Sequence, residues 1–172
     1  ACTIGGMIAN NSSGMTCGTE KNTYETVDSM TIALPSGTVV DTGSPDADAL
    51  LRSAEPELVE VLERLRDTLR GERFYDDIRR RYAIKNTMGY GINSFLDHDT
   101  PAKILEHLMV GSEGTLGFVS EAVFRTVPLP RRTATSLLLF DSLEHATLAL
   151  PELVYSGADV VELIDAASIR AM

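Results

Sequence analysis

The stretch Met30–Val40 reads MTIALPSGTVV, and it decides the class of fold. Apolar residues alternate with smaller or polar ones from Met30 to Leu34, which is the period-two pattern of a strand with one buried face. Turn-forming residues follow at 35–37, and a strand-like sequence resumes at 38–40. The succession of strand, turn and strand predicts a β-hairpin.

Helices and a further strand surround this hairpin. Leucines recur at three- and four-residue steps between Pro56 and Gly71, which predicts a helix over residues 56–70. Phe118 to Val127 reads as another strand, ended by the prolines that follow it. The predicted fold class is therefore α+β, an antiparallel sheet with flanking helices.

The chain changes character at residues 128–132, PLPRR, which form the candidate domain boundary. Beyond it, residues 136–140 read as a buried strand, and Asp-x-x-Glu at 141–144 has the spacing of a capping box that opens a helix. Pro151 is expected to kink or split that helix. Residues 159–164 read as a second strand. Strand, helix and strand in about 30 residues form the first half of an α/β or ferredoxin-like unit.

Composition and charge exclude several classes of function. The 172 residues suffice for one domain, or for one domain and a piece of a second. With 15 basic and 25 acidic residues, the net charge of −10 argues against nucleic acid or an anionic membrane as main partner. No apolar run approaches the roughly 20 residues that span a bilayer. Two cysteines, Cys2 and Cys17, favour a reducing compartment; we expect the cytoplasm, with a position peripheral to the inner membrane face left open.

Both ends of the sequence indicate a piece of a longer protein. The first residues, ACTIGG, contain neither an initiator methionine nor a signal peptide. The last residues, 160–172, read as a strand that passes into a short helix with no cap or polar tail after it. We therefore expect further protein on both sides.

The common catalytic and nucleotide signatures are absent. The sequence contains no P-loop, and Gly89-x-Gly91-x-x-Ser94 lacks the third glycine of a dinucleotide fingerprint. Ser13 and Ser112 lie in glycine-rich turns without the flanking pattern of a nucleophilic serine. We therefore assign no catalytic residue.

The histidines and the arginine run favour structural roles. His98, His107 and His145 lie far apart with no paired ligands. Asp97-His98-Asp99 could hold a metal ion, but a polar loop is the favoured interpretation, and no metal site is assigned. Arg79-Arg80-Arg81 could bind phosphate, although a solvated helix face with compensating acids is favoured.

Two stretches rich in Gly, Ser, Thr and Asn remain, at residues 4–18 and 111–117, and both are predicted to be loops. Such loops suit a phosphate or a flat heterocycle, because glycine lets the backbone approach closely and N–H groups donate to anionic oxygens. In a chain of net charge −10, an anion site would need donors of this kind. The alternative is that both stretches are tight surface turns.

Three segments resemble flavoprotein motifs, in the order of one family. Segment A, Ile4–Gly14 (IGGMIANNSSG), looks like the second flavin-binding stretch of the FAD-linked oxidases of the vanillyl-alcohol-oxidase and p-cresol-methylhydroxylase type. Segment B, Lys85–Gly91 (KNTMGYG), resembles the segment that runs beside the flavin in that family. Segment C, Gly111–Ala122 (GSEGTLGFVSEA), is similar to the family's most recognisable motif.

A fourth stretch, Val161–Asp165, resembles the early substrate domain of the D-lactate, glycolate and D-2-hydroxyglutarate dehydrogenase branch. The resemblance is greatest to large bacterial fusions that carry an iron–sulfur domain after the flavoprotein part. Residues 14–19 (GMTCGT) depart from the more usual Arg-Tyr-Gly ending of the segment A motif. This departure fits that branch better than it fits the short dehydrogenases.

The resemblance implies a division into domains. Residues 1–128 would be the second subdomain of a p-cresol-methylhydroxylase-type FAD-binding domain, an antiparallel sheet with helices, and its first phosphate loop would lie upstream. Residues 129–172 would begin the ferredoxin-like α/β substrate domain. The substrate-binding and proton-abstracting residues would lie downstream of residue 172. We therefore expect the isolated chain to be inactive and to bind FAD weakly or not at all.

The resemblance also implies FAD as cofactor and a set of residues that contact its pyrophosphate and flavin, those of segment C largely through backbone atoms. They are Ile4, Gly5, Gly6, Asn10, Asn11, Ser12, Ser13, Gly14, Glu113, Gly114, Thr115, Leu116, Gly117, Phe118 and Val119.

The implied reaction is oxidation of a D-2-hydroxy acid of the lactate, glycolate or 2-hydroxyglutarate type to the 2-oxo acid. Hydride would pass to the flavin, and the electrons would continue to an acceptor. Another reaction of the same flavoprotein fold, of the alcohol oxidase or ether-lipid synthase type, is one alternative. A cofactor-free acidic interaction domain, with structural glycine loops, is the alternative from another class.

Overall fold

The computed structural model describes residues 2–14, 17–129 and 131–171. Met15 and Thr16, within the departure from the segment A motif, and Pro130, within the candidate boundary, lie outside the described residues. The chain divides into two compact units, Ala1–Val127 and Pro128–Met172.

The first unit contains three strands and seven helices among its described residues. The strands are β1 (Val27–Ala33), β2 (Val39–Asp41) and β3 (Phe118–Phe124). The helices are α1 (Ile4–Asn10), α2 (Thr23–Thr26), α3 (Ala47–Ala54), α4 (Pro56–Leu69), α5 (Glu72–Tyr82), α6 (Ser94–Asp97) and α7 (Pro101–Met109).

The three strands form one antiparallel sheet with the order β2-β1-β3. The hairpin predicted around residues 35–37 is confirmed, with Ile32 opposite Val40. The strand predicted from Phe118 is also confirmed, although it ends at Phe124. β1 occupies the centre because its alternating side chains are buried on one face, where Met30 and Ile32 have almost no exposure.

Helices cover the buried face of the sheet. The predicted helix over 56–70 is α4, whose Val59 and Leu62 enter the core beside Leu51 of α3. Eight of the nine residues of α7 are buried, so α7 is the helix most enclosed by its neighbours. The α+β class, with a small antiparallel sheet and flanking helices, agrees with the sequence prediction. None of the described helices is long and apolar enough to cross a lipid bilayer.

Segment A is partly helical, and its prediction as a loop is wrong at residues 4–10. Thr3 caps α1, since its Oγ1 accepts a hydrogen bond from Gly6 N at 3.1 Å. Ile8 is buried in the core, which stabilises the helix. Capping and burial together outweigh the low helix propensity of the two glycines.

The second unit contains two helices among its described residues, α8 (Leu143–Tyr155) and α9 (Ala166–Ala171). The strands predicted at 136–140 and 159–164 are not formed, and both runs are exposed. A strand needs a neighbouring backbone to satisfy its N–H and C=O groups, and these runs do not pair with each other. The start of a ferredoxin-like unit therefore remains a prediction.

Helix α8 corrects two further expectations. Its N-cap is Ser142, whose Oγ accepts from His145 N at 3.1 Å, whereas the capping box was expected to begin at Asp141. Asp141 instead lies 2.7 Å from the Nδ1 of His145. Pro151 does not split α8, which continues to Tyr155. The exposed helix tolerates proline because water can satisfy the carbonyl that loses its N–H partner.

Candidate functional site

Segments A and C meet backbone to backbone. Gly111 N donates to Ile8 O at 2.8 Å, and Glu113 N donates to Ala9 O at 2.8 Å. The two glycine-rich stretches therefore form one structure, although about a hundred residues separate them in the chain. The contact joins the end of α1 to the start of segment C. Of the predicted cofactor residues, Ile4, Gly5 and Gly6 lie in the first turn of α1, and Phe118 and Val119 lie in β3.

The turn at the end of segment A is held by α2. Asn11 adopts a left-handed conformation, with φ of 52°, and its Oδ1 accepts from Tyr24 N at 3.2 Å. Ser12 O accepts from the Thr23 hydroxyl. Asn11 Oδ1 and Ser12 O, both in the predicted site, are therefore engaged in hydrogen bonds within the protein. The Oγ of Ser13 is buried and has no hydrogen-bond partner within the described part of the chain.

Segment C turns sharply before it enters β3. Glu113 has φ of 53°, an uncommon value for a residue with a side chain, and it points into solvent. At Gly117 an added Cβ would lie 2.9 Å from Ala33 O, so only glycine fits beside β1. The Thr115 Oγ1 donates to Ser112 O at 2.6 Å. The close contact at Gly117 and the Thr115 hydrogen bond therefore fix the path of segment C into β3.

Segment B contacts both other segments. Lys85 Nζ donates to Ser13 O at 3.2 Å, and the hydroxyls of Tyr90 and Thr115 lie 2.7 Å apart. A narrow cavity of about 40 Å³ lies where segments A, B and C converge. This volume holds a few water molecules rather than a flavin ring, so a cofactor would contact the open surface of the segments.

Comparison with known proteins bears on this arrangement. Residues 1–43, which include segment A and the hairpin, match a family model described as an FAD binding domain. The chain is 27% identical to the mitochondrial D-lactate dehydrogenase (cytochrome) 1 of Saccharomyces cerevisiae over 164 residues, which are 94% of this chain and 19% of that protein. It is 28% identical to a D-2-hydroxyglutarate dehydrogenase of Pantoea ananatis over 171 residues, 95% of this chain and 16% of that protein.

A third relative is a glycolate oxidase subunit of Escherichia coli K12, 37% identical over 75 residues, which are 42% of this chain and 15% of that protein. The matched family model and these relatives support the resemblance of the chain to the FAD-linked oxidase family. The resemblance inferred from segments A, B and C, and its branch of D-lactate, glycolate and D-2-hydroxyglutarate dehydrogenases, are confirmed by these matches. No solved structure matches the chain.

The chain spans between 16% and 21% of the length of three of its curated relatives. FAD is the cofactor of the family, and segment A is the part of the predicted site that lies inside the matched residues 1–43. Segments B and C lie outside them.

A cluster behind segment A was not found by sequence reasoning. The rings of His98 and His107 lie 3.8 Å apart, so the separation expected of these histidines is wrong for this pair. Tyr24 contacts His107 edge-on, with ring centroids 4.8 Å apart, and donates from its hydroxyl to Asp97 Oδ2 at 2.9 Å. The turn between α6 and α7 brings the two histidines together. We call Tyr24, Asp97, His98 and His107 the Tyr24 cluster.

Both aspartates of the Asp97-His98-Asp99 stretch form ion pairs with arginines. Arg79 donates to Asp97 Oδ1 at 2.7 Å, and Arg70 donates to Asp99 Oδ1 at 2.8 Å. Arg80 and Arg81 both pair with Asp77, which agrees with the predicted solvated helix face with compensating acids. Within the described ranges, no three His, Cys, Asp or Glu side chains are arranged to hold a metal ion.

Burial governs ionisation in the Tyr24 cluster. It raises the pKa of Tyr24, and the neighbouring Asp97 carboxylate raises it further. Burial lowers the pKa of His107 to about 4, with His98 adding to the effect, and burial also lowers the pKa of His98. Both imidazoles are therefore neutral at pH 7, and His107 Nδ1 lies 2.9 Å from Lys103 O.

Proposed function

We propose that this chain forms part of an FAD-dependent oxidoreductase that oxidises D-2-hydroxy acids, and that segments A and C hold the cofactor. The observation that carries the proposal is the backbone contact of Gly111 with Ile8 and of Glu113 with Ala9. Two segments with flavoprotein motifs, far apart in sequence, meet in one place. A pair of unrelated surface turns would not need this contact.

The residues present fit an anionic, flat cofactor. The unpartnered Oγ of Ser13 has hydrogen-bonding capacity to offer, and Gly5 has open space where a side chain would lie. Lys85 carries the only positive charge among the described residues that line the cavity, and it lies against Ser13. In the proposed site, segment A would hold the cofactor through glycine backbone, amide and hydroxyl groups, and segment C largely through backbone atoms.

FAD, when bound, would supply the hydride-accepting chemistry for conversion of a 2-hydroxy acid to the 2-oxo acid. The residues of this chain would bind and orient the cofactor and would perform no proton transfer. We propose that residues 1–128 belong to the FAD-binding domain and that 129–172 begin the substrate domain. Residues that bind substrate would then lie beyond this chain, and the chain alone would be inactive.

The relatives support the proposed substrate class, since they are named for D-lactate, D-2-hydroxyglutarate and glycolate. An electron acceptor would complete the reaction, and we also propose a fused iron–sulfur domain after the flavoprotein part, on the strength of the departure at residues 14–19. A cytoplasmic location is proposed from the two free cysteines, Cys2 and Cys17.

Absorbance between 300 and 550 nm tests the proposed cofactor. We expect flavin bands in the purified full-length protein, and weak or absent bands in this chain after FAD is added. A full-length protein that stays colourless with added FAD would contradict the proposal and favour a cofactor-free interaction domain.

A substrate panel tests the proposed reaction. Flavin bleaching by a D-2-hydroxy acid, and none by its L-enantiomer or by a benzylic alcohol, is the expected result. Bleaching by the alcohol alone would favour the alcohol oxidase type of reaction.

A further inference from the structure

Tyr24 connects the turn of segment A to the interior of the first unit. Its backbone N–H donates to Asn11 Oδ1 at 3.2 Å, its hydroxyl donates to Asp97 at 2.9 Å, and its ring lies against His107. The side chain is 5% exposed, so these contacts are enclosed by protein. Asn11 is the left-handed C-cap of α1, a position that asparagine occupies more readily than most residues, and its side chain is fixed there by the bond from Tyr24 N.

His107 connects the same cluster to segment C. It lies on α7, and the chain leaves α7 at Met109 and reaches Gly111 and Glu113, whose N–H groups bind segment A. Segments A and C are therefore linked in two ways. The hydrogen bonds of Gly111 and Glu113 link them directly, and the Tyr24–His107 contact links the elements that support them, α2 and α7. Neither Tyr24 nor His107 lies in segment A, B or C.

We propose that Tyr24 is a positioning residue for the FAD-contacting turn, and that its contact with His107 couples segment A to segment C. This inference rests on the proposed function. In this proposal Tyr24 does not contact the cofactor itself. It fixes the conformation of the segment A turn, whose groups would contact the cofactor.

Acid should weaken the coupling, because the stacked imidazoles would acquire charge in an enclosed place. The groups with contacts or Coulombic effects on the pair are Tyr24, Arg70, Asp97, Asp99, Lys103 and Glu106. Glu25, Asp28, Arg79 and Arg125 border the same cleft. Asp97 and Asp99 favour protonation of His98, but burial has the larger effect and lowers the pKa of both imidazoles.

The direction of the pH effect follows from these pKa values. With the folded pKa of His107 at about 4, the packed imidazole takes up no proton at pH 5.5. An opened imidazole titrates with a pKa of about 6.5 and is mostly protonated there. Acidification therefore favours the opened state, and the population of that state should rise about tenfold between pH 7.5 and pH 5.5.

Hydrogen–deuterium exchange on this chain, expressed as protection factors, tests the coupling without any flavin. The exchange is followed in peptides covering residues 7–14 and 110–115. In the unchanged chain, we expect protection to fall about tenfold between pH 7.5 and pH 5.5. Tyr24→Phe, which keeps the ring and loses the bond to Asp97, should lower protection roughly fivefold at pH 7.5. His107→Gln should reduce the acid response, leaving only the part that His98 contributes.

Matched controls are Tyr155→Phe and His145→Gln, which make the same substitutions at exposed positions of the second unit. Both should leave protection and its pH response unchanged. Unchanged protection in Tyr24→Phe together with a full acid response in His107→Gln would overturn the inference. If a variant fails to fold, the pH comparison on the unchanged chain still tests the inference. Equal protection at pH 7.5 and pH 5.5 would refute it.

Flavin release from the full-length, FAD-loaded protein provides the second readout. Release followed by flavin fluorescence should be several-fold faster in Tyr24→Phe, and its acceleration at pH 5.5 should be smaller in His107→Gln. A protein that holds no flavin would contradict the proposed function, while the exchange experiment would still decide the coupling. Flavin held with release rates unaltered in both variants would overturn the positioning role.

Discussion

The two units of the chain contain apolar runs of similar composition, yet they bury them very differently. In the first unit, β1 buries Val27, Met30 and Ile32, and α7 buries eight of its nine residues. In the second unit, none of residues 131–171 is buried, and Leu137 and Leu139 are each 83% exposed. The difference lies in the partners available within each unit. A helix satisfies its own backbone and forms in both, whereas a strand requires a neighbour and forms only in the first.

The largest expected effect contrasts leucines of the two units. Leu51→Ala removes a fully buried side chain and should lower the free energy of unfolding of the first unit by about 2–5 kcal/mol. Leu139→Ala makes the same change at an exposed position and should alter it by less than about 0.5 kcal/mol. Urea unfolding followed by circular dichroism measures both. Equal effects would show that residues 136–140 are buried in solution.

A smaller effect is expected where β1 meets segment C. Gly117→Ala places a Cβ 2.9 Å from Ala33 O and should cost about 1–3 kcal/mol of unfolding free energy. Gly5→Ala is the matched control, because nothing lies within 4 Å of its added Cβ and alanine favours helix α1 by about 0.5–1 kcal/mol. Thermal unfolding should give shifts of opposite sign. A stabilising Gly117→Ala would contradict the close contact.

Titration of His107 should lower the free energy of unfolding by about 1.4 kcal/mol between pH 7.5 and pH 5.5. Because burial lowers the pKa of His107 to about 4, the unfolded chain binds a proton at this residue that the folded chain does not. The free energy of unfolding therefore falls progressively as the pH falls from about 6.5 towards 4. His107→Gln should therefore flatten the dependence of unfolding free energy on pH in that window. His145→Gln, in the exposed second unit, should leave it unchanged. Parallel curves for His107→Gln and the unchanged chain would refute the assignment.

The smallest effects concern two helix caps. Thr3→Ala removes the acceptor for Gly6 N and should cost about 0.5–1 kcal/mol in global unfolding of the first unit, because α1 packs into the core. Ser142→Ala removes the acceptor for His145 N from an exposed helix. That change should reduce the helicity of α8 with no shift in the global transition. Exchange at residues 143–147 distinguishes the two, since only Ser142→Ala should raise it.

Local patterns predicted the elements whose signals lie within a few residues. The hairpin around 35–37 and helix α4 follow from periodicity and turn chemistry, and both are present. The prediction of a loop at residues 4–10 was wrong because the glycines and asparagines of segment A favour turns, whereas Thr3 and the buried Ile8 stabilise a helix there. The strands predicted at 136–140 and 159–164 depended on pairing, which short-range patterns do not reveal.

The amino-acid sequence by itself determined the resemblance to the FAD-linked oxidase family, through segments A, B and C, and it determined the hairpin and the long helix of the first unit. Those features are recognisable because each is encoded in a short, continuous run. Only the tertiary structure decided that segment A touches segment C and that His98 stacks on His107. The same holds for the placement of Tyr24 behind the site. These contacts join residues distant in the chain, and their formation depends on packing of the whole first unit rather than on local propensity.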